Sequence, residues 1–352
     1  MSRFIQIHLL TSYPPANLNR DDQGRPKTAR MGGYDRLRVS SQSLKRRWRT
    51  SEIFEQAMGD NMGTRTKRLG VEVCNALLAG GIKEKQAKDW AAEIAGVFGK
   101  GKKDSLEIEQ LVHVSPEERQ LIDSLVARLI EEGRKPEKEE LDLLREKTTA
   151  VDIALFGRML ASKTQFNVEA ACQVAHAISV HSVVIEDDYF TAVDDLNDGR
   201  EDAGSSHIGE TGFAAGLFYS YICVNRQQLI ENLRGDSELA DKAIGALIEA
   251  AVKVAPSGKQ NSFAQQGYAS YVLAEAGDQQ PRSLAVSYLK PVEMRGYGAA
   301  DYLTQAIDAI RAQKAGFDQA YGACSDRAYE LSVSEGKGNL QEMLAFIKDV
   351  SH

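Results

Sequence analysis

"FAAGLFYSYICVN" (residues 213–225) sets aromatic and β-branched side chains in alternation, the pattern of a strand built into a core. Working upstream, "HSVVIEDDYFTAVDDLNDGREDAGSSHIGETG" (181–212) has strand-like runs flanking a Gly-, Asp- and Ser-rich turn. It reads as a long hairpin with an exposed tip that leads into the core strand. Residues 3 to 10 supply another strand, and "TSYPPANLNRDDQGRPKT" (11–28) reads as a polar loop with three prolines. A short strand over Leu37–Val39 then runs into Ser40 and Ser41, which suit the cap of a helix over Gln42–Met58. From 68 to 147 the pattern is helical; Ser115, Pro116 and Glu118 hold the N-cap, first-turn and capping-box positions of one helix. Beyond it, residues 151–161 read as a strand and 168–180 as a helix, with further helices over 236–255, 301–314 and 339–350. Strands separated by one large helical excursion make the fold class α+β.

Charge is unevenly distributed. The chain of 352 residues has a formal net charge of -7, yet residues 1–49 hold eleven Lys or Arg against Asp21, Asp22 and Asp35. That is a local balance of +8, and a partner senses the local field. "RLRVSSQSLKRRWR" (36–49) concentrates six cations with no acid. On a helical wheel Leu44 and Trp48 share one face, while Gln42, Lys45, Arg46 and Arg49 occupy the adjacent one. A solvated charged face is the plain reading. Phosphate binding is the preferred one, because an exposed helix normally mixes signs and serine caps at a helix N-terminus add N–H donors.

Other chemistries find less support. "GVFGKGKK" (96–103) fits GxxxxGK, but Lys103 stands where a P-loop places Ser or Thr, and a helical segment precedes it where a strand belongs. "GYGAAD" (296–301) lacks the third glycine of a dinucleotide loop. His176 and His181 are five apart and His8 and His207 are isolated, so no metal site is expected. Cys74, Cys172, Cys223 and Cys324 form no CxxC pair, and no stretch reads as a signal peptide or membrane span; a reducing cytoplasm is expected. Asp21 and Asp22 are either partners that orient Arg20 or, less simply, Mg²⁺ ligands for phosphodiester cleavage. Met159 reads either as a core gap-filler or as a wedge between bases.

Several motifs in register then carry a resemblance: "NLNRDD" (17–22), "RVSSQSLKR" (38–46), "VDIALFGRM" (151–159), "AHAI" (175–178) and "YFTAVDDL…GSSHIG" (189–209). In order and spacing they resemble the CasC-type backbone subunit of type I-E CRISPR Cascade, a member of the RAMP superfamily. The resemblance implies a ferredoxin-like, RRM-related palm (1–60, 151–181 and 213–352), a helical fingers insertion (61–150) and a β-hairpin thumb (182–212). It implies a non-catalytic protein without cofactor or metal, whose copies assemble head to tail along crRNA beside other Cascade subunits. Target DNA is met through guide pairing. By resemblance Arg20, Ser40, Gln42, Lys45, Arg46 and Arg49 hold crRNA phosphates, Met159 inserts at a displaced nucleotide, and Tyr189, Phe190, Thr191 and Ile208 shape the kink.

Lys100, Lys102 and Lys103 are candidate target-DNA contacts, with Arg134, Lys135, Lys138, Arg145 and Lys147 behind them. The thumb's Asp187, Asp188, Asp194, Asp195, Asp198, Glu201 and Asp202 are expected to face the adjoining protomer, at its Arg47 edge. Two other functions stay open: an Mg²⁺-dependent ribonuclease using Asp21 or Asp22, as in related type III backbones, and a general single-strand RNA chaperone.

Overall fold

The strand over residues 213–225 lies inside a sheet built largely of antiparallel pairs. Its strands are β1 (Phe4–Ala16), β2 (Thr28–Met31), β3 (Tyr34–Val39), then, after the helical region's own pair β4 (Thr64–Thr66) and β5 (Val112–Val114), β6 (Cys172–Val174), β7 (Ala177–Ser179), β8 (Glu186–Ala192), β9 (His207–Asn225), β10 (Ala269–Gly277) and β11 (Arg327–Ser332). The order is β11-β10-β1-β9-β7-β3-β2, with β8 hydrogen-bonded to β9 as a hairpin. The computed structural model describes residues 2–192, 207–293 and 300–350. The chain divides into a sheet unit (1–54, 174–223 and 247–352) and a helical unit (55–173 and 224–246).

β1 has both faces buried: Ile5, Ile7 and Leu9 on one side, Gln6, His8 and Leu10 on the other. The polar side is affordable because it is paired. Gln6 Oε1 accepts the Tyr221 hydroxyl and the Arg282 amide. His8 in its neutral Nε2–H form donates to Glu275 and accepts the Tyr219 hydroxyl at Nδ1. Burial lowers the His8 pKa against the pull of Glu275. At Glu275 burial opposes ionisation, but hydrogen bonds from His8 and Arg282 outweigh it and keep the carboxyl below its usual range.

Four segments differ from the reading of the sequence. β1 runs on to Ala16 through a bulge at Leu10/Thr11, so Pro14 and Pro15 lie in the strand, beyond Thr11 where pairing with β10 ends. The helix expected over 42–58 is two, Ser41–Arg49 and Glu52–Met58. Thr50 Oγ1 and Ser51 Oγ fold back onto the Arg46 and Trp48 carbonyls, and Ser51 Oγ accepts the Phe54 amide to start the second. The apolar run at 151 is a helix, Val151–Phe156, stopped by Gly157 at φ +81. Residues 168–180, expected helical, hold β6 and β7, since β7 fills the gap between β3 and β9 with Ile178 opposite Arg38 and Tyr219.

The helical unit packs Leu69, Leu77, Trp90, Ile94, Ile122 and Leu129 into its own core. The helix Pro116–Glu132 begins with the expected capping box between Ser115 and Glu118. Helix Glu84–Gly96 immediately precedes the glycine-lysine run, which is not the strand a P-loop needs. The four cysteines are buried thiols. Among the described residues no helix is long and apolar enough to cross a membrane. "GYGAAD" falls mostly outside the described residues.

Candidate nucleic-acid interface

The Ser41–Arg49 helix packs Leu44 and Trp48 inward, as the wheel requires, and turns Gln42 and Arg46 to solvent with Lys45 and Arg49 half-buried beside them. Its first turn carries no acid, and Arg46, Arg47 and Arg49 crowd its last turn, where they also stabilise the dipole. The N-terminal amides are less available to a ligand than the sequence suggests. Ser40 is the N-cap, buried, with its hydroxyl accepting the Ser43 amide, and the Ser41 amide donates to His176 Nδ1. The flank of the helix, and not its tip, is therefore the cationic surface. One of the six cations in this stretch leaves that surface altogether: Arg36 is fully buried, donating to the Ser179 and Tyr288 carbonyls.

Arg20 stands on the loop between β1 and β2, bridged through its backbone to Pro26. Asn19 Oδ1 accepts the Ser40 amide, so loop and helix cap are one assembly. The expected ion pair that would orient Arg20 is absent among the described residues. Asp21 Oδ1 instead accepts the Gln23 and Arg25 amides and pins the turn.

The β8–β9 hairpin sets Tyr189 opposite Glu210, Phe190 opposite Gly209 and Thr191 opposite Ile208. Tyr189 is 65% exposed and Phe190 42%. A Cβ at Gly209 would stand 2.3 Å from the Phe190 ring, so the aromatic lies directly over the glycine and would have to shift to admit a side chain there. The Thr191 and Ile208 side chains lie outside the described residues, as do Asp194, Asp195, Asp198, Glu201 and Asp202. Asp187 has a partner in its own chain, with Nη2 of Arg25 reaching both of its carboxylate oxygens. Arg47, the expected partner in a neighbour, donates Nε to the Ala255 carbonyl.

In the helical unit, Met159 is 85% exposed, flanked by the buried Arg158 and Leu160. Arg158 donates to both oxygens of Glu118 and to the Arg145 and Phe166 carbonyls, while the Leu160 amide is held by Asn167 Oδ1. A flexible thioether is thus carried on a rigid base, contrary to a gap-filling role. That base was hidden in the sequence, since nothing in "GRM" shows that its arginine is internal. Lys100, Lys102 and Lys103 are exposed on a loop closed by the Gly101–Ile108 bridge, with Lys100 paired to Glu109. Arg134 is engaged by Glu132 and Glu140, and Arg145 by the Asp142 and Leu144 carbonyls.

Among the described residues no group of three or more His, Cys, Asp or Glu has the geometry to hold a metal ion. The family model described as CT1975-like protein matches residues 5–348. A chain of a "CRISPR RNA-guided surveillance complex, pre-nicking" is 28% identical, with a TM-score of 0.84 over 99% of this chain and 100% of that one. A chain of a second "CRISPR RNA-guided surveillance complex" is 24% identical, with a TM-score of 0.73 over 99% of each, and shares the fold. No curated protein matches.

Proposed function

The chain belongs to the CT1975-like protein family, and from that membership we propose that it is the crRNA-binding backbone subunit, CasC-type, of a type I-E CRISPR surveillance complex. In this reading its copies assemble head to tail along the guide beside other subunits, and target DNA is recognised through guide pairing. The observation that carries the reading is the flank of the Ser41–Arg49 helix: cations on one packed element, beside the Arg20 loop of the same unit. Such a surface suits a polyanion strand whose letters it does not inspect, leaving specificity to base pairing. A modest phosphate contact in each copy multiplies along a filament, so tight guide binding needs no deep pocket.

The proposed subunit is non-catalytic. Asp21 spends one carboxylate oxygen on two backbone amides, which favours a turn-forming role over metal ligation. Incubating the assembled complex with complementary labelled RNA and Mg²⁺ tests this; regularly spaced cuts that vanish in Asp21→Ala or Asp22→Ala overturn it. For binding itself, the test is the triple variant Lys45→Ala/Arg46→Ala/Arg49→Ala, checked for folding by circular dichroism. It is expected to lose copurifying guide RNA and to lower the salt slope of single-strand binding by about 2, three phosphates at roughly 0.7 each. Full-length guide particles assembled by the folded triple variant overturn the reading.

A further inference from the structure

Within the sheet unit a groove of about 490 Å³ runs between the Arg20 loop, Ser43 of the basic helix, and Ser257 and Gly258. We infer that this groove seats one ribose-phosphate unit of single-stranded RNA, with Arg20 on the phosphate and the Asp22 carboxylate accepting the ribose 2′-hydroxyl. Asp22 is then the residue that separates RNA from DNA. This rests on the RNA-binding function proposed above and assigns its sugar specificity.

The walls are built and not incidental. Gly258 is pressed on the Leu18 and Asn17 carbonyls, where a Cβ would stand 2.3 Å from one and 2.6 Å from the other, so the backbones meet directly. The buried Gln265 amide donates to the Gly258 carbonyl at 2.6 Å and fixes that wall. The buried Asn17 side-chain amide donates to the Gly24 and Gly212 carbonyls, tying the loop to the base of the β8–β9 hairpin. Both walls are therefore set before any ligand arrives, which is what sugar discrimination demands.

The charges lining the groove define the ligand. A site for a bare anion has no use for carboxylates, and a cation site has no use for a guanidinium. Asp21 is accounted for, since its Oδ1 pins the turn. Asp22 is exposed, and among the described residues its carboxylate makes no hydrogen bond. The Arg20 guanidinium is likewise engaged by no carboxylate among the described residues. A guanidinium and a free carboxylate in one groove call for a ligand with both a phosphate acceptor and a hydroxyl donor, and RNA offers both on each nucleotide where DNA offers only the first.

The test uses the purified full-length chain and three labelled oligonucleotides of one sequence, with ribose, 2′-deoxyribose or 2′-O-methyl sugars, titrated by fluorescence anisotropy at fixed salt. Wild type is expected to prefer ribose by about tenfold, the scale of one hydrogen bond to a charged acceptor. Asp22→Ala should bring that ratio close to one without weakening DNA binding, Asp22→Asn should restore part of it, and Arg20→Ala should weaken both strands with the ratio kept. Because Asp22 is exposed, a melting curve matching wild type is expected for its variants. A ribose preference absent from wild type, or surviving in Asp22→Ala, overturns this assignment. If Lys45→Ala/Arg46→Ala/Arg49→Ala still abolishes binding in the same assay, the RNA-binding function itself stands.

Discussion

The Ser41 amide donates to Nδ1 of His176 at 2.8 Å, fastening the start of the cationic helix to the turn between β6 and β7. The bond requires that nitrogen unprotonated. Burial, with Arg38 and Lys27 nearby, lowers the His176 pKa below its ordinary 6.5. Burial lowers His181 as well, and its Nε2 accepts the Leu217 amide. His8 is shifted the same way.

The sign of the resulting pH dependence follows. A depressed folded pKa means that the unfolded chain binds more protons near and below pH 6.5. Stability is then full above pH 6.5 and falls as pH drops through 6.5 and past the lowered folded values. Urea titrations across this window are expected to show the loss, and His176→Asn, which keeps an acceptor but cannot titrate, should shed up to about one proton's worth of the slope.

Arg36 closes two carbonyls, Ser179 and Tyr288, in a fully buried setting. Arg36→Met should cost about 2–4 kcal/mol in urea unfolding, because the loss leaves buried acceptors unpaired. Arg38→Met, half-buried with one long bond to the Thr28 carbonyl, should change stability by about 0.5 kcal/mol or less. Equal effects at the two positions would contradict the division between a core arginine and a surface one.

Arg158 and Met159 are adjacent and should separate cleanly. Arg158→Met strands the buried Glu118 and should destabilise by about 3–5 kcal/mol. Met159→Ala, at an 85% exposed side chain, should stay within about 0.5 kcal/mol. In the proposed complex Met159→Ala should alter the chemical reactivity of guide nucleotides at a regular interval; an unchanged pattern would remove the wedge role.

Arg25 and Asp187 tie the β1–β2 loop to the hairpin through a half-exposed ion pair. Either single charge reversal should raise amide exchange across Glu186–Asp188, and the double swap Arg25→Asp/Asp187→Arg should bring it back. The global cost should stay near 0–1 kcal/mol, as for exposed pairs generally. Exchange that ignores the swap would show that the hairpin is positioned by other contacts, the Lys259–Thr211 bond first among them.

Legible from residue order were the α+β class, the core strand at 213–225, the capping box at Ser115 and the amphipathic cut of the basic helix, with Leu44 and Trp48 in and Gln42 and Arg46 out. Those are local: periodicity and cap chemistry act within a few residues. Tertiary structure alone decided that Val151–Phe156 is helical, that 172–179 is extended to complete the sheet, that Arg36 and Arg158 are internal while Met159 is not, and that Asp187 answers Arg25. It also joined Gly258 to Leu18 across some 240 residues to make the groove at Arg20. A cation reads the same in sequence whether its partners are water, a carbonyl or a distant carboxylate. The partner, which sets the cost of burying it, is chosen only when remote segments pack.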